Sequence, residues 1–205
     1  MRVIRFFVLL AIVFLACPVQ AATVTYLGAD GLSDGARLVG PYRLSIDGIE
    51  YTALCYDFDH YVSPGQTWQA NLYLFGDLSS AYYASTPGAA AKYEDAAWLL
   101  DQILLTPEPA DRIGIQHAVW SLFSSAAPTQ GSAPWLSAAA AGRAAGNPGL
   151  DLGTFRVVNS LPGANPQVQG FIVTGFPGSP VPEPATTALT CTALLAFGLA
   201  RRRSH

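Results

Sequence analysis

Residues 185–200 carry no charge and sit between Val181-Pro182-Glu183-Pro184 and Arg201-Arg202-Arg203. Leu189, Leu194, Leu195, Phe197 and Leu199 supply their apolar weight. As a helix, these sixteen residues reach ~24 Å, a little short of the ~30 Å hydrocarbon core of a bilayer. Pro184 and snorkelling arginines make up the difference. The expectation is a transmembrane segment at 185–200 with a basic cytoplasmic tail at 201–205, which places the bulk of the chain outside under the positive-inside rule. The other end agrees. Arg2 and Arg5 precede an apolar run at residues 6–16, and Val19-Gln20-Ala21 offers small residues for cleavage. This reads as a signal peptide over 1–21. A lipid anchor at Cys17 is the alternative, although Phe14-Leu15-Ala16-Cys17 lacks the usual small residue two before the cysteine. What is left is an exported globular domain at 22–176, about 155 residues and enough for one core, followed by a Pro/Gly linker at 177–184.

The order of Pro-Glu-Pro, apolar segment and arginine stop resembles the C-terminal sorting signal of PEP-CTERM proteins. Its residues here are Val181, Pro182, Glu183 and Pro184, with Arg201, Arg202 and Arg203 as the membrane stop. The resemblance implies processing by an exosortase-type membrane enzyme. It implies anchoring in the inner membrane through the C-terminal helix beforehand, then a cell-surface or extracellular destination. It also implies an exopolysaccharide or biofilm setting. A net charge of −3 with 12% charged residues gives no basic footprint for nucleic acid.

Within the exported domain the pattern is α+β. Thr23-Val24-Thr25-Tyr26-Leu27 reads as a strand, and residues 42–46 and 49–58 as a hairpin around Asp47-Gly48. Residues 68–75 suggest a further strand. A helix is predicted over 90–105, with Tyr93, Ala96, Ala97, Leu100 and Leu104 on one stripe. A second is predicted over 111–124, after the Pro107-Glu108-Pro109 break, and a short alanine-rich one over 134–145. Residues 155–158 and 168–173 read as returning strands. Strands, then helices, then strands predict an antiparallel sheet with two or three packed helices, flanked by the signal helix and the transmembrane helix. Trp68, Trp98, Trp120 and Trp135 read as core residues rather than as a carbohydrate platform.

Cys55 is the one cysteine of the exported domain, because Cys17 leaves with the signal peptide and Cys191 lies in the membrane segment. A lone cysteine in an oxidising compartment must be buried, paired with another chain or committed to chemistry. On the second helix, Gln116 points into an arc shared with Ile113, Val119, Trp120 and Phe123, whereas His117 points with Gly114, Ser121 and Ser124 on the polar side. A primary amide on an apolar face must find partners or cost about 1–3 kcal/mol.

Leu54-Cys55-Tyr56 and Ile115-Gln116-His117-Ala118-Val119-Trp120 resemble the two signature motifs of bacterial thioester domains. Gln116, Ala118 and Trp120 match, and Ile115 stands where that family has threonine. The resemblance implies an internal thioester between Cys55 and Gln116, able to capture a surface amine covalently, with Asp57, His117 and Trp120 as supporting residues. Residues 40–123 also resemble the ectodomain of many PEP-CTERM proteins, to which no activity attaches. Three further readings stay open. Strand alternation puts Cys55, Asp57 and Asp59 on one face beside His60, a conceivable metal site, although solvated charge is the commoner cause. Cys55, His117 and an aspartate would make a cysteine hydrolase. The third, an exported non-enzymatic structural or adhesive protein without cofactor or metal, is the reading preferred on sequence; the chain has no phosphate loop, zinc spacing or Gly-x-Ser-x-Gly motif.

Overall fold

The computed structural model describes residues 21–163 and 167–177. The sorting motif Val181–Pro184, the apolar segment 185–200, Arg201, Arg202, Arg203, Cys17 and Cys191 lie outside the described residues, as does nearly all of the predicted signal peptide. Among the described residues no helix is long and apolar enough to cross a membrane.

Strand β1 spans Ala22–Ala29, β2 Tyr42–Ile46, β3 Ile49–Cys55 and β4 Thr67–Tyr73. Three helices follow, α1 at Ala89–Leu105, α2 at Pro109–Phe123 and α3 at Ser132–Ala144, and the chain then returns through β5 at Arg156–Ser160 and β6 at Phe171–Thr174. The α+β reading therefore holds, with one correction: the antiparallel sheet closes into a six-stranded barrel in the order β1-β2-β3-β6-β5-β4. Closure depends on β1 serving two partners. Its first half pairs with β4, through Ala22↔Ala70 to Thr25↔Thr67, and it runs along β2 from Val24↔Ile46 to Ala29↔Tyr42. A bulge between Tyr26 and Gly28 shifts the register there. Gly28 holds φ at 120°, a conformation open to glycine, and a bulge of this kind bends a strand enough to turn a barrel corner.

The hairpin forms where Asp47-Gly48 predicts it. Both residues take positive φ, 50° and 86°, as a two-residue turn of this twist requires. The turn is tied to β1 by Asp47 Oδ1, which accepts from the Thr23 N–H at 2.8 Å.

Two cores share the strands. Inward residues Val24, Tyr26, Leu44, Ala53, Cys55, Trp68, Phe171 and Val173 fill the barrel. The alternate residues Leu54, Val157 and Ile172 face the helices and join Tyr93, Leu99, Leu100, Ile115 and Val119. This is why β3, β5 and β6 carry runs of consecutive buried residues: helices cover their outer face. The stripe on α1 is turned slightly from its predicted direction. Leu104 is exposed and Leu99 and Ile103 are buried, because α1 packs against α2, α3 and the barrel together.

Helix α2 begins two residues before its predicted start. Pro109 occupies its first turn, where a missing N–H is harmless. All seven residues from Gly114 to Trp120 are buried, so the helix is enclosed on every side rather than amphipathic. It crosses the start of α3 at Gly114, where an added Cβ would meet Gly131 O at 2.7 Å and Trp135 Cδ1 at 3.2 Å. Because the nearer atom is backbone, Gly114→Ala should force the helices apart. The expected cost is about 1–3 kcal/mol despite alanine's better helix propensity, measurable by urea denaturation.

Candidate functional site

Cys55 closes β3, paired with Phe171 of β6, and its thiol is wholly buried. The strand stops there. Asp57 and Asp59 do not continue its alternation, which corrects the shared face on which a metal site was conceivable. Asp57 instead turns inward, fully buried. Its carboxylate accepts from the Tyr83 hydroxyl and the Asp59 N–H, each at 3.1 Å, and from the Gly170 N–H at 3.3 Å, and it pairs with His60 Nδ1 at 2.8 Å. Among the described residues no group of three or more His, Cys, Asp or Glu side chains is arranged to hold a metal.

Helix α2 brings Gln116 and Trp120 to Cys55. Four residues apart, they share one helix face. The Gln116 amide donates to the Cys55 carbonyl at 2.7 Å, and its Oε1 accepts from the Gly40 N–H at 3.2 Å. The Trp120 indole N–H donates to Cys55 Sγ at 3.5 Å. The thiol in turn donates to the Asp57 carbonyl at 3.2 Å. Gln116 is thus a fully buried amide with both ends engaged, and its side-chain carbonyl carries a backbone N–H donor. Gly40 fits this place because a Cβ there would lie 2.7 Å from Leu54 Cδ1 and 3.2 Å from Gln116 Oε1. Neither its N–H nor its proximity to Gln116 was legible in the sequence.

Burial pushes the Cys55 thiol well above its ordinary value, the Trp120 N–H pulls the other way, and the charge of Asp57 adds to the rise. The thiol is therefore protonated at neutral pH. The same surroundings raise the Tyr26 hydroxyl to about 12, through burial first and Cys55 second.

His117 departs from its predicted place. It is buried rather than on a solvated side, because the chain before β2 and the loop before α3 cover it. Its Nδ1 meets the Gln130 carbonyl at 2.9 Å and its Nε2 meets Asp34 Oδ2 at 3.1 Å. Both ring nitrogens are committed away from the thiol. Of the predicted group, then, Cys55, Gln116 and Trp120 converge, Asp57 reaches the thiol through its backbone, and His117 stands behind them. Trp68 and Trp120 are core residues; Trp98 and Trp135 are partly buried against the helical core.

The chain matches no protein-family profile and no curated protein. Among solved structures it is similar to the N-terminal domain of the Streptococcus pyogenes pilus tip adhesin Cpa, at a TM-score of 0.49 and 9% identity, over 78% of this chain and 96% of that one.

Proposed function

We propose that this chain is a non-enzymatic, adhesive surface protein whose reactive element is an internal thioester between Cys55 and Gln116. The observation that carries this reading is the contact itself. The Gln116 amide is bound to the Cys55 backbone at 2.7 Å, with Trp120 donating to the sulfur, in a site closed to water. Formation requires Sγ to attack the side-chain carbonyl carbon of Gln116. The S–C bond forms, the C–N bond breaks, and the thiol proton leaves with the amide nitrogen as ammonia. The Gly40 N–H on Oε1 stabilises the charge that develops on that oxygen. Exclusion of water protects the product from hydrolysis. A primary amine on a partner surface then reverses the geometry, forming an amide to residue 116 and freeing the thiol.

The run from Val181 to Arg203 supports export, exosortase-type processing and transient anchoring in the inner membrane. Extracellular polysaccharide or surface amines are the partners that fit such a destination. A hydrolase is less well supported, since both ring nitrogens of His117 are bonded away from the thiol.

Intact-mass spectrometry tests the thioester. The purified chain should weigh one ammonia less than its sequence, methylamine should add its full mass and release one titratable thiol, and Cys55→Ala should show the unaltered mass. A full-mass wild-type chain with a free thiol before any amine is added would sink the reading.

A further inference from the structure

Residues 30–40 connect β1 to β2, and Ala36, Arg37 and Leu38 form one wall of a pocket of about 210 Å³. Its opposite wall is Phe58, Tyr61, Val62 and Trp120, so the pocket ends on the indole that touches Cys55 Sγ. The Arg37 guanidinium lies 4.4 Å over the Phe58 ring and bridges the two walls.

The segment is one unit. The Val39 N–H donates to Leu32 O at 2.9 Å and the Asp34 N–H to Arg37 O at 3.1 Å, while Asp34 Oδ1 takes the Ala36 and Arg37 N–H groups at 2.8 and 2.7 Å. Two ties hold the unit to α2. Arg112 bonds Asp30 Oδ2 and the Gly40 carbonyl. Asp34 Oδ2 meets His117 Nε2, with side chains only 8% and 4% exposed. The second tie has a chemical consequence. A carbonyl on Nδ1 and a carboxylate on Nε2 are both acceptors, so the ring satisfies both only as the doubly protonated cation. Burial works against the Asp34 carboxylate, yet the Ala36 and Arg37 N–H groups and His117 outweigh it and hold its pKa below the ordinary value. The pair is nearly sealed from water.

We infer that residues 30–40 are a lid over the Cys55–Gln116 pair, latched by the buried His117–Asp34 contact. His117 is on this account a positioning residue. Through the lid it sets the Gly40 N–H on Gln116 Oε1 and closes the pocket by which a nucleophile reaches Trp120 and the sulfur. Release of the latch opens the site without unfolding the barrel. The inference takes from the proposed thioester only that Cys55–Gln116 is the reactive pair.

Asp34→Asn keeps an oxygen for the Ala36 and Arg37 N–H groups and removes the charge. In the full chain, Cys55 chemistry is timed by methylamine cleavage if the wild-type mass shows ammonia loss, or by iodoacetamide alkylation if it shows a free thiol. Either way the variant should react roughly tenfold faster, as the loss of a hydrogen bond between charged groups predicts. Amides of residues 36–39 should exchange with deuterium faster while those of β5 and β6 are unchanged. Proton NMR of the wild type should show both ring N–H resonances of His117, and Asp34→Asn should lose one. An unchanged Cys55 rate, a general rise in exchange across the barrel, or a single ring proton on wild-type His117 would each overturn the lid. Absence of ammonia loss would sink the thioester and leave the lid to the alkylation result.

Discussion

Replacing Asp57 with alanine is expected to cost about 3–5 kcal/mol of stability, since removing one member of a buried charged network strands the rest. The residue is a hub rather than a decoration. It is wholly buried, one oxygen takes the Asp59 N–H and the Tyr83 hydroxyl, and the other takes the Gly170 N–H and the His60 ring. These groups come from three parts of the chain: the turn after β3, the segment before α1, and the residue that leads into β6. Alanine would leave the Gly170 N–H and the Tyr83 hydroxyl without an acceptor in an apolar surround. His60, about a third exposed on its side chain, turns to water and contributes least. The bonds that the Cys55 thiol and the Gln169 side-chain amide donate to the Asp57 backbone carbonyl do not need the carboxylate, so the loss falls mainly on stability. Asp57→Asn keeps an acceptor but offers a donor to groups that already donate, and should recover only part of the loss. Urea unfolding of the three chains checks this. A loss below ~0.5 kcal/mol, the range of an ordinary surface change, would remove Asp57 from the frame of the fold.

Local signals in the sequence carried the elements well and the closure poorly. Asp47-Gly48 announces its turn because only a few residue types accept positive φ at both positions. The helices were legible from apolar spacing and from the proline break before α2. Closure of the barrel was not legible, because it rests on β1 pairing with β4 and β3 pairing with β6. Residues such as Cys55 and Phe171 are far apart in the chain, and period-2 alternation alone does not name a partner. The site divides in the same way. Gln116 was conspicuous as an amide among apolar neighbours, and its spacing to Trp120 is local, so both were readable. His117 was misplaced because helix geometry gives direction but not cover. What buries it, Asp34 and the Gln130 carbonyl, arrives from two other segments. Gly40 gave no signal at all: its role is an N–H, and backbone groups leave no mark on composition.

Opening the proposed thioester with methylamine is expected to lower the melting temperature by about 8–16 °C, since each kcal/mol moves a domain of this size by some 2–4 °C. The magnitude follows from topology. A Cys55–Gln116 bond ties the end of β3 to the middle of α2 across a separation of 61 residues. The chain-entropy relation for a cross-link closing a loop of that length gives about 4 kcal/mol at room temperature, through restriction of the unfolded chain. The folded contacts change little on cleavage, because the amide product puts a nitrogen back where the Cys55 carbonyl accepts it. Cys55→Ala, which never carries the cross-link, should melt near the cleaved form and ignore methylamine. Scanning calorimetry with intact mass taken on the same samples makes the comparison. Cleavage proved by mass with no fall in melting temperature would mean that the two elements stay joined in the unfolded ensemble. No response in either measurement would reduce Gln116 to a buried amide that holds β3, α2 and Gly40 together by hydrogen bonds alone.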